Sequence, residues 1–160
     1  MSGMRVGVVG DIHGSYHELR KAVRAMGKID HLLFTGDGYR DICRLREETG
    51  LFVRGVAGNC DFVSEFPLEQ TFQLDEFKIL LAHGHQYGAK TGLSRLGQAG
   101  REQGAALVVF GHTHQPLSTT WNEIRLLNPG TLSRERSYGG VSYGIIETGA
   151  AGLNMYLQQL

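Results

Sequence analysis

Ten polar residues sit where a chain could gather them into one reactive site: Asp11, His13, Asp37, Asn59, Cys60, Asp61, His83, His85, His112 and His114. They fall in five short segments, each just after an apolar run. Asp11 and His13 follow Arg5 to Gly10, and Asp37 follows His31 to Thr35. Asn59, Cys60 and Asp61 follow Leu51 to Val56. His83 and His85 follow Phe77 to Ala82, and His112 and His114 follow Leu107 to Phe110. Carboxylates, imidazoles and an amide oxygen are ligands for divalent cations of the Mn, Fe, Zn, Ni or Co type. Two such cations about 3.5–4 Å apart clamp the attacking and leaving oxygens of a phosphoryl group. Cations that close need an anionic bridge, for which a carboxylate such as Asp37 is suited. Neutral imidazoles then complete the shells and leave residual positive charge to attract phosphate.

Taken singly, the segments have plainer readings. Asp11 and Gly36-Asp37 are ordinary turn residues. Asn59 after glycine suits a left-handed turn. His112 and His114 alternate, so an extended chain puts both on one side. His85 is open between contacting phosphate, orienting His83 and lying in a solvated loop. Asp61 reads as a residue supporting the ligands. Cys60 has the alternative of a small buried residue. Asn128 and Thr131 either line the pocket or form a β-turn, and Arg40 either reaches phosphate or is a solvated charge at a helix start.

The elements that must position these residues alternate at first. After the strand at Arg5, Ser15 and Glu18 read as a capping box for a helix carrying Leu19, Ala22, Val23 and Met26 at helical spacing and stopping at Gly27. A strand at His31 to Thr35, a helix at Asp41 to Thr49 and a strand at Leu51 to Val56 follow. Thr71 to Leu74 and Phe77 to Ala82 read as a hairpin around Asp75 and Glu76, and Thr91 to Gln103 as a glycine-laden helix with Cys43 in the core of the one before it. Short strands dominate the rest: Leu107 to Phe110, Ser118 to Trp121, Ile124 to Leu127, Val141 to Glu147 and Leu153 to Leu157. A βαβαβ start with a β-rich second half predicts a layered α/β fold with more than one sheet. In such sheets ligands bind beyond the carboxyl ends of strands, where all five segments lie.

With 160 residues and no linker or repeat, one domain over 1–160 is expected. Lys plus Arg equals Asp plus Glu, 16 each, so the whole-molecule field gives no attraction to nucleic acid or anionic membrane. Val6 to Val9 is too short for a signal segment, no run approaches a membrane span, and the two cysteines suggest no disulfide framework. A cytoplasmic protein is expected, with monomer, dimer and other homo-oligomers all open.

Asp11-Ile12-His13, Gly36-Asp37, Gly58-Asn59-Cys60-Asp61, His83-Gly84-His85 and Gly111-His112-Thr113-His114 resemble, in order, the blocks of the calcineurin-like metallophosphoesterases. Asn128-Pro129-Gly130 extends the resemblance to the small bacterial and archaeal phosphodiesterase branch. The resemblance implies a β-sandwich core flanked by helices, a four-layer α/β/β/α fold. It implies two divalent ions per chain, Mn serving in vitro: one on Asp11, His13, Asp37 and His114, the other on Asp37, Asn59, His83 and His112. Asp37 would bridge them, and a bridging hydroxide would attack a small phosphodiester in line. Catalytic contributions would come from Asp37, Asn59, Cys60, Asp61 and His85. Many members carry His where this chain has Cys60, and that histidine commonly protonates the leaving group. A thiol is no substitute for an imidazolium, so monoesters with poor leaving groups should suffer most. Two other readings remain: a protein-binding scaffold like the retromer subunit of this fold, and a nuclease or phosphomonoesterase of the superfamily.

Overall fold

A computed structural model describes residues 3–160. Two five-stranded sheets stack face to face. The first has the order β10-β9-β1-β2-β3, with β1 Arg5–Val9, β2 His31–Phe34, β3 Val53–Gly55, β9 Ser142–Gly149 and β10 Gly152–Gln159. The second has the order β4-β5-β6-β8-β7, with β4 Glu69–Leu74, β5 Phe77–Ala82, β6 Leu107–Val109, β7 Pro116–Trp121 and β8 Ile124–Pro129. Helices α1 Tyr16–Met26, α2 Tyr39–Thr49 and α3 Ser94–Glu102 cover the outer faces.

Strand periodicity explains the layering. Successive side chains leave opposite faces. In the first sheet Val6, Val8 and Leu33 point between the sheets, while Val9, Leu32 and Phe34 meet Leu19, Met26, Ile42 and Leu45 from α1 and α2. In the second, Ile79, Leu81, Leu107, Val109 and Leu127 face the first sheet, while Leu80, Val108 and Leu126 meet Leu96 and Ala99 of α3. Three apolar layers between four structural layers give the expected α/β/β/α sandwich. Strands buried on both faces read as continuous apolar runs. The glycines of α3 permit close approach: a Cβ on Gly97 would lie 2.2 Å from the Trp121 ring.

Parallel pairing fixes where the site forms. β1, β2 and β3 run parallel, as do β5, β6 and β8. Their carboxyl ends carry every segment singled out above.

Local differences from the sequence reading have physical reasons. Ser15 precedes α1 but makes no side-chain cap; at φ −85° and ψ 59° it is not in the extended conformation that aims a capping hydroxyl. Glu18 is buried and accepts Arg134 Nε–H at 3.2 Å instead of closing a capping box. Helix α3 starts at Ser94, because Gly92 at φ 155° breaks the chain before it. Cys43 is only partly buried, its helix α2 presenting Ile42 and Leu45 to the core. No helix among the described residues is long and apolar enough to cross a membrane.

Candidate metal centre

The segments converge. Asp11 Oδ1 lies 3.4 Å from His114 Nε2 and 3.6 Å from His13 Nε2. Asp37 Oδ2 lies 3.2 Å from His83 Nε2 and 3.8 Å from His13 Nε2. His83 Nε2 is 2.9 Å from Asn59 Oδ1 and 3.2 Å from His112 Nδ1. All seven residues expected as ligands are therefore in one connected cluster, with Asp37 between its two halves. Cys60 joins it too: its sulfur, His13 and Asp37 offer atoms within 4.8 Å of one another. Cys60 is exposed as a residue, so the reading of it as a small buried residue is corrected.

The backbone is bent to achieve this. Asp11, His13, Asp37, His112 and His114 all have positive φ, between 48° and 71°. Such conformations cost free energy in non-glycine residues and collect at functional sites. Gly58 allows a close approach: a Cβ there would sit 2.1 Å from Asp37 Oδ1.

Hydrogen bonds orient three members of the cluster. His83 donates Nδ1–H to the Thr35 carbonyl at 2.8 Å, which leaves a lone pair on Nε2. The His112 N–H donates to Asp11 Oδ2 at 3.0 Å, leaving Oδ1 without a partner. The Cys60 N–H donates to Asp37 Oδ1 at 2.8 Å. Asp61 does not reach into the cluster's centre. Its Oδ2 accepts the N–H of Asp37 at 2.7 Å and of Gly58 at 2.9 Å, and its Oδ1 accepts those of Gly38 at 2.9 Å and Tyr39 at 3.1 Å. One carboxylate thus ties two ligand loops together.

Asn128 and Thr131 are wholly buried and brace the loops from behind. Asn128 Nδ2 donates to the Gly111 carbonyl at 3.1 Å and to Thr113 Oγ1 at 3.0 Å, and Thr131 Oγ1 donates to the Asp11 carbonyl at 2.5 Å. Arg40 is exposed in the first turn of α2 and lines the cavity beside His13 and Asp37. His17 is exposed and His31 buried, both away from the cluster. Sequence reasoning missed the Thr35 carbonyl, a backbone group that no residue type signals.

The electrostatics suit a cation. Burial works to raise the Asp37 carboxyl, but the His83 hydrogen bond and charge, the Cys60 N–H and His13 outweigh it and hold it at about 2. Asp11 is lowered as well: burial opposes this, and His114, His13 and His83 prevail. Burial and the nearby charges of His83 and Lys90 drop His112 to about 4, so its imidazole is neutral at pH 7. His83 moves the other way, its burial overridden by Asp37 and Asp11.

The donors fit divalent ions. Asp11 Oδ1 and His13 Nε2 are buried without hydrogen-bond partners, an arrangement that costs free energy unless something binds there. His83 Nε2 with its lone pair faces two acceptor oxygens, which repel it unless a proton or a cation lies between. The proton and the cation therefore compete. Since the His83 pKa is raised by Asp37 and Asp11 against its burial, protons compete for Nε2 as pH falls through that raised pKa. Metal affinity is expected to weaken by about tenfold per pH unit below that pKa, measurable by Mn titration between pH 8 and 5.5. An affinity flat across that range would contradict the arrangement.

Residues 4–151 match the family model described as the calcineurin-like phosphoesterase superfamily domain. A probable metallophosphoesterase, YsnB of Bacillus subtilis, is 32% identical over 158 residues, covering 97% of this chain and 92% of its own. Phosphodiesterase YfcE of Escherichia coli is 27% identical over 168 residues, covering 90% of this chain and 88% of its own. Among solved structures, zinc-complexed Vps29 of Entamoeba histolytica superposes with a TM-score of 0.82 at 23% identity, covering 98% of this chain and 93% of its own.

Proposed function

We propose that this chain, which belongs to the calcineurin-like phosphoesterase superfamily, is a metal-dependent phosphodiesterase acting on a small, activated diester through two divalent ions. The observation that carries the reading is the pairing of His83 Nε2 with the Asp37 and Asn59 oxygens at 3.2 and 2.9 Å. A proton or a cation lying between them relieves that contact. Asp11, His13, Asp37 and His114 would hold one ion, and Asp37, Asn59, His83 and His112 the other. Bound ions supply Lewis-acid charge for the phosphoryl oxygens and acidify a water to serve as nucleophile.

The chain's own residues do the rest. Asp37, held deprotonated, places negative charge between the two halves of the cluster. Thr35 fixes the His83 ring and tautomer. His85 has a buried, partnerless Nδ1 and a ring centroid 5.3 Å from that of His83; burial and the His83 charge lower its pKa, so it meets the phosphoryl group as a neutral imidazole. Cys60 remains a neutral thiol, because partial burial and the Asp37 charge push its pKa up. A neutral thiol is a poor acid for an alkoxide leaving group, which favours diesters with good leaving groups. YfcE, a relative named as a phosphodiesterase, supports the diester over the monoester. The complete donor set supports an enzyme over a scaffold of the Vps29 kind. Formal neutrality supports a small-molecule substrate over duplex nucleic acid.

The test is metal content and bis-p-nitrophenyl phosphate hydrolysis on one sample, chelated and then reloaded with Mn. About two ions per chain, with activity lost and restored, are expected. Metal uptake without cleavage of any diester would refute the phosphodiesterase reading, and no uptake would refute the metal centre. Cys60→His should raise the ratio of p-nitrophenyl phosphate to bis-p-nitrophenyl phosphate turnover by at least about tenfold, by adding a general acid. An unchanged ratio would remove Cys60 from the account of specificity.

A further inference from the structure

The loop that Asp61 pins continues into two bare apolar residues. Phe62 is 94% exposed and Val63 82%. Isolated exposed apolar residues need no explanation, but these two are adjacent and sit at one particular place. Both line a cavity of about 420 Å³ that also takes in His13, Asp37, Cys60 and Tyr39. Its lining combines the candidate cation ligands His13 and Asp37 with this apolar lip and a tyrosine, and Arg40 and Asp41 add charge to the wall.

The lip is held where it is. Four backbone N–H groups grip Asp61, which anchors the chain immediately before Phe62. Tyr39 is fixed as well, by an edge contact with Phe66 at 5.6 Å between centroids and by its hydroxyl donating to Glu65 at 3.2 Å. A phosphate group alone would use only the polar part of that lining. Apolar surface kept in water beside a binding site is released from water when a ligand's own apolar part covers it.

We infer that Phe62 and Val63 are specificity residues that hold an aromatic ester arm of the substrate, so that the enzyme selects phosphodiesters bearing an aryl or nucleobase group over those with small aliphatic groups. The inference rests on the phosphoesterase reading of the metal centre. Phe62 and Val63 are outside the ligand set, and their side chains contribute to none of the three apolar clusters. Replacing them leaves fold and metal uptake intact.

The experiment compares phenylphosphonate with methylphosphonate by calorimetry on Mn-loaded protein, wild type and Phe62→Ala/Val63→Ala. The two probes share an anionic head and differ only in the arm. Wild type is expected to bind phenylphosphonate about tenfold more tightly, the return on covering one ring, and the double variant to lose most of that preference while keeping its methylphosphonate affinity. Equal affinities in wild type, or a preference that survives in the variant, would overturn the inference and leave the metal-centre reading standing. Binding of neither probe by metal-loaded protein would overturn both. Light scattering on the same samples closes the other route: a wild-type dimer that the variant abolishes, with the preference unmoved, assigns the lip to a second copy of the chain and overturns the inference.

Discussion

Asp37→Asn should abolish activity and at least one metal site. Asp37 Oδ2 is 3.2 Å from His83 Nε2 and 3.8 Å from His13 Nε2, so it belongs to both halves of the cluster. The side chain is nearly inaccessible, at 2% exposure. An amide in its place carries no charge, and it can aim its NH₂ either into the His83 and His13 cluster or at the Cys60 N–H that now donates to Oδ1. Either orientation forfeits an interaction. Removing one partner of a buried charge interaction costs about 3–5 kcal/mol, or roughly 10²- to 10⁴-fold in affinity. Mass spectrometry of the metals, with bis-p-nitrophenyl phosphate rates on the same preparation, provides the check. If the variant keeps both metals and full activity, the bridging assignment is wrong. The substitution is nearly isosteric, and the β2 strand before it is packed independently through Leu32, Leu33 and Phe34. Loss of function should therefore come without loss of the fold.

Much of this site could be read in the sequence, because parallel strands leave their carboxyl ends at one edge of a sheet. A residue that follows an apolar run in the sequence then follows a strand's carboxyl end in space. Asp11, Asp37 and Asn59 come to the same edge in that way. The layered class was legible for a related reason: unbroken apolar runs such as Val6 to Val9 and Leu107 to Phe110 need cover on both faces. The position of the C-terminal hairpin was not legible. β9 pairs antiparallel with β1, matching Arg5 to Glu147 and Val6 to Ile146, and nothing local in either strand names a partner some 140 residues away. The supporting polar residues were hidden for a similar reason. Thr131 reaches the Asp11 carbonyl across 120 positions, and Asn128 reaches Gly111 across 17. Their side chains look like turn residues and only the fold reveals what they touch. The Ser15 and Glu18 pattern misled because a tertiary partner, Arg134, competes for Glu18.

Asp61 is where the chemical and the architectural readings of one residue diverge most, and Asp61→Asn separates them. Its carboxylate accepts four backbone N–H groups, two on each oxygen. An asparagine offers one acceptor oxygen and one NH₂. Whichever way the amide turns, two N–H donors face another donor. Bonds to a charged acceptor contribute about 1.5–3 kcal/mol each, so losing two should cost about 3 kcal/mol after some relaxation of this half-exposed loop. For a chain of this length that lowers Tm by about 6–12 °C. The freed N–H groups belong to Asp37, Gly58 or the start of α2, so both the Asp37 carboxylate and the Asn59 loop should shift, and metal uptake is expected to fall with activity. A residue that acts by transferring protons to substrate would behave differently: its asparagine variant would keep Tm and metals and lose only turnover. Thermal melting of the metal-free protein and metal content of the loaded protein, read beside the rate, distinguish the two. Asp61→Ala sharpens the test. It removes all four acceptor contacts, and even with water entering it should also lower Tm. An alanine variant whose Tm is unchanged would mean that the four-donor grip contributes little and that Asp61 acts through its chemistry.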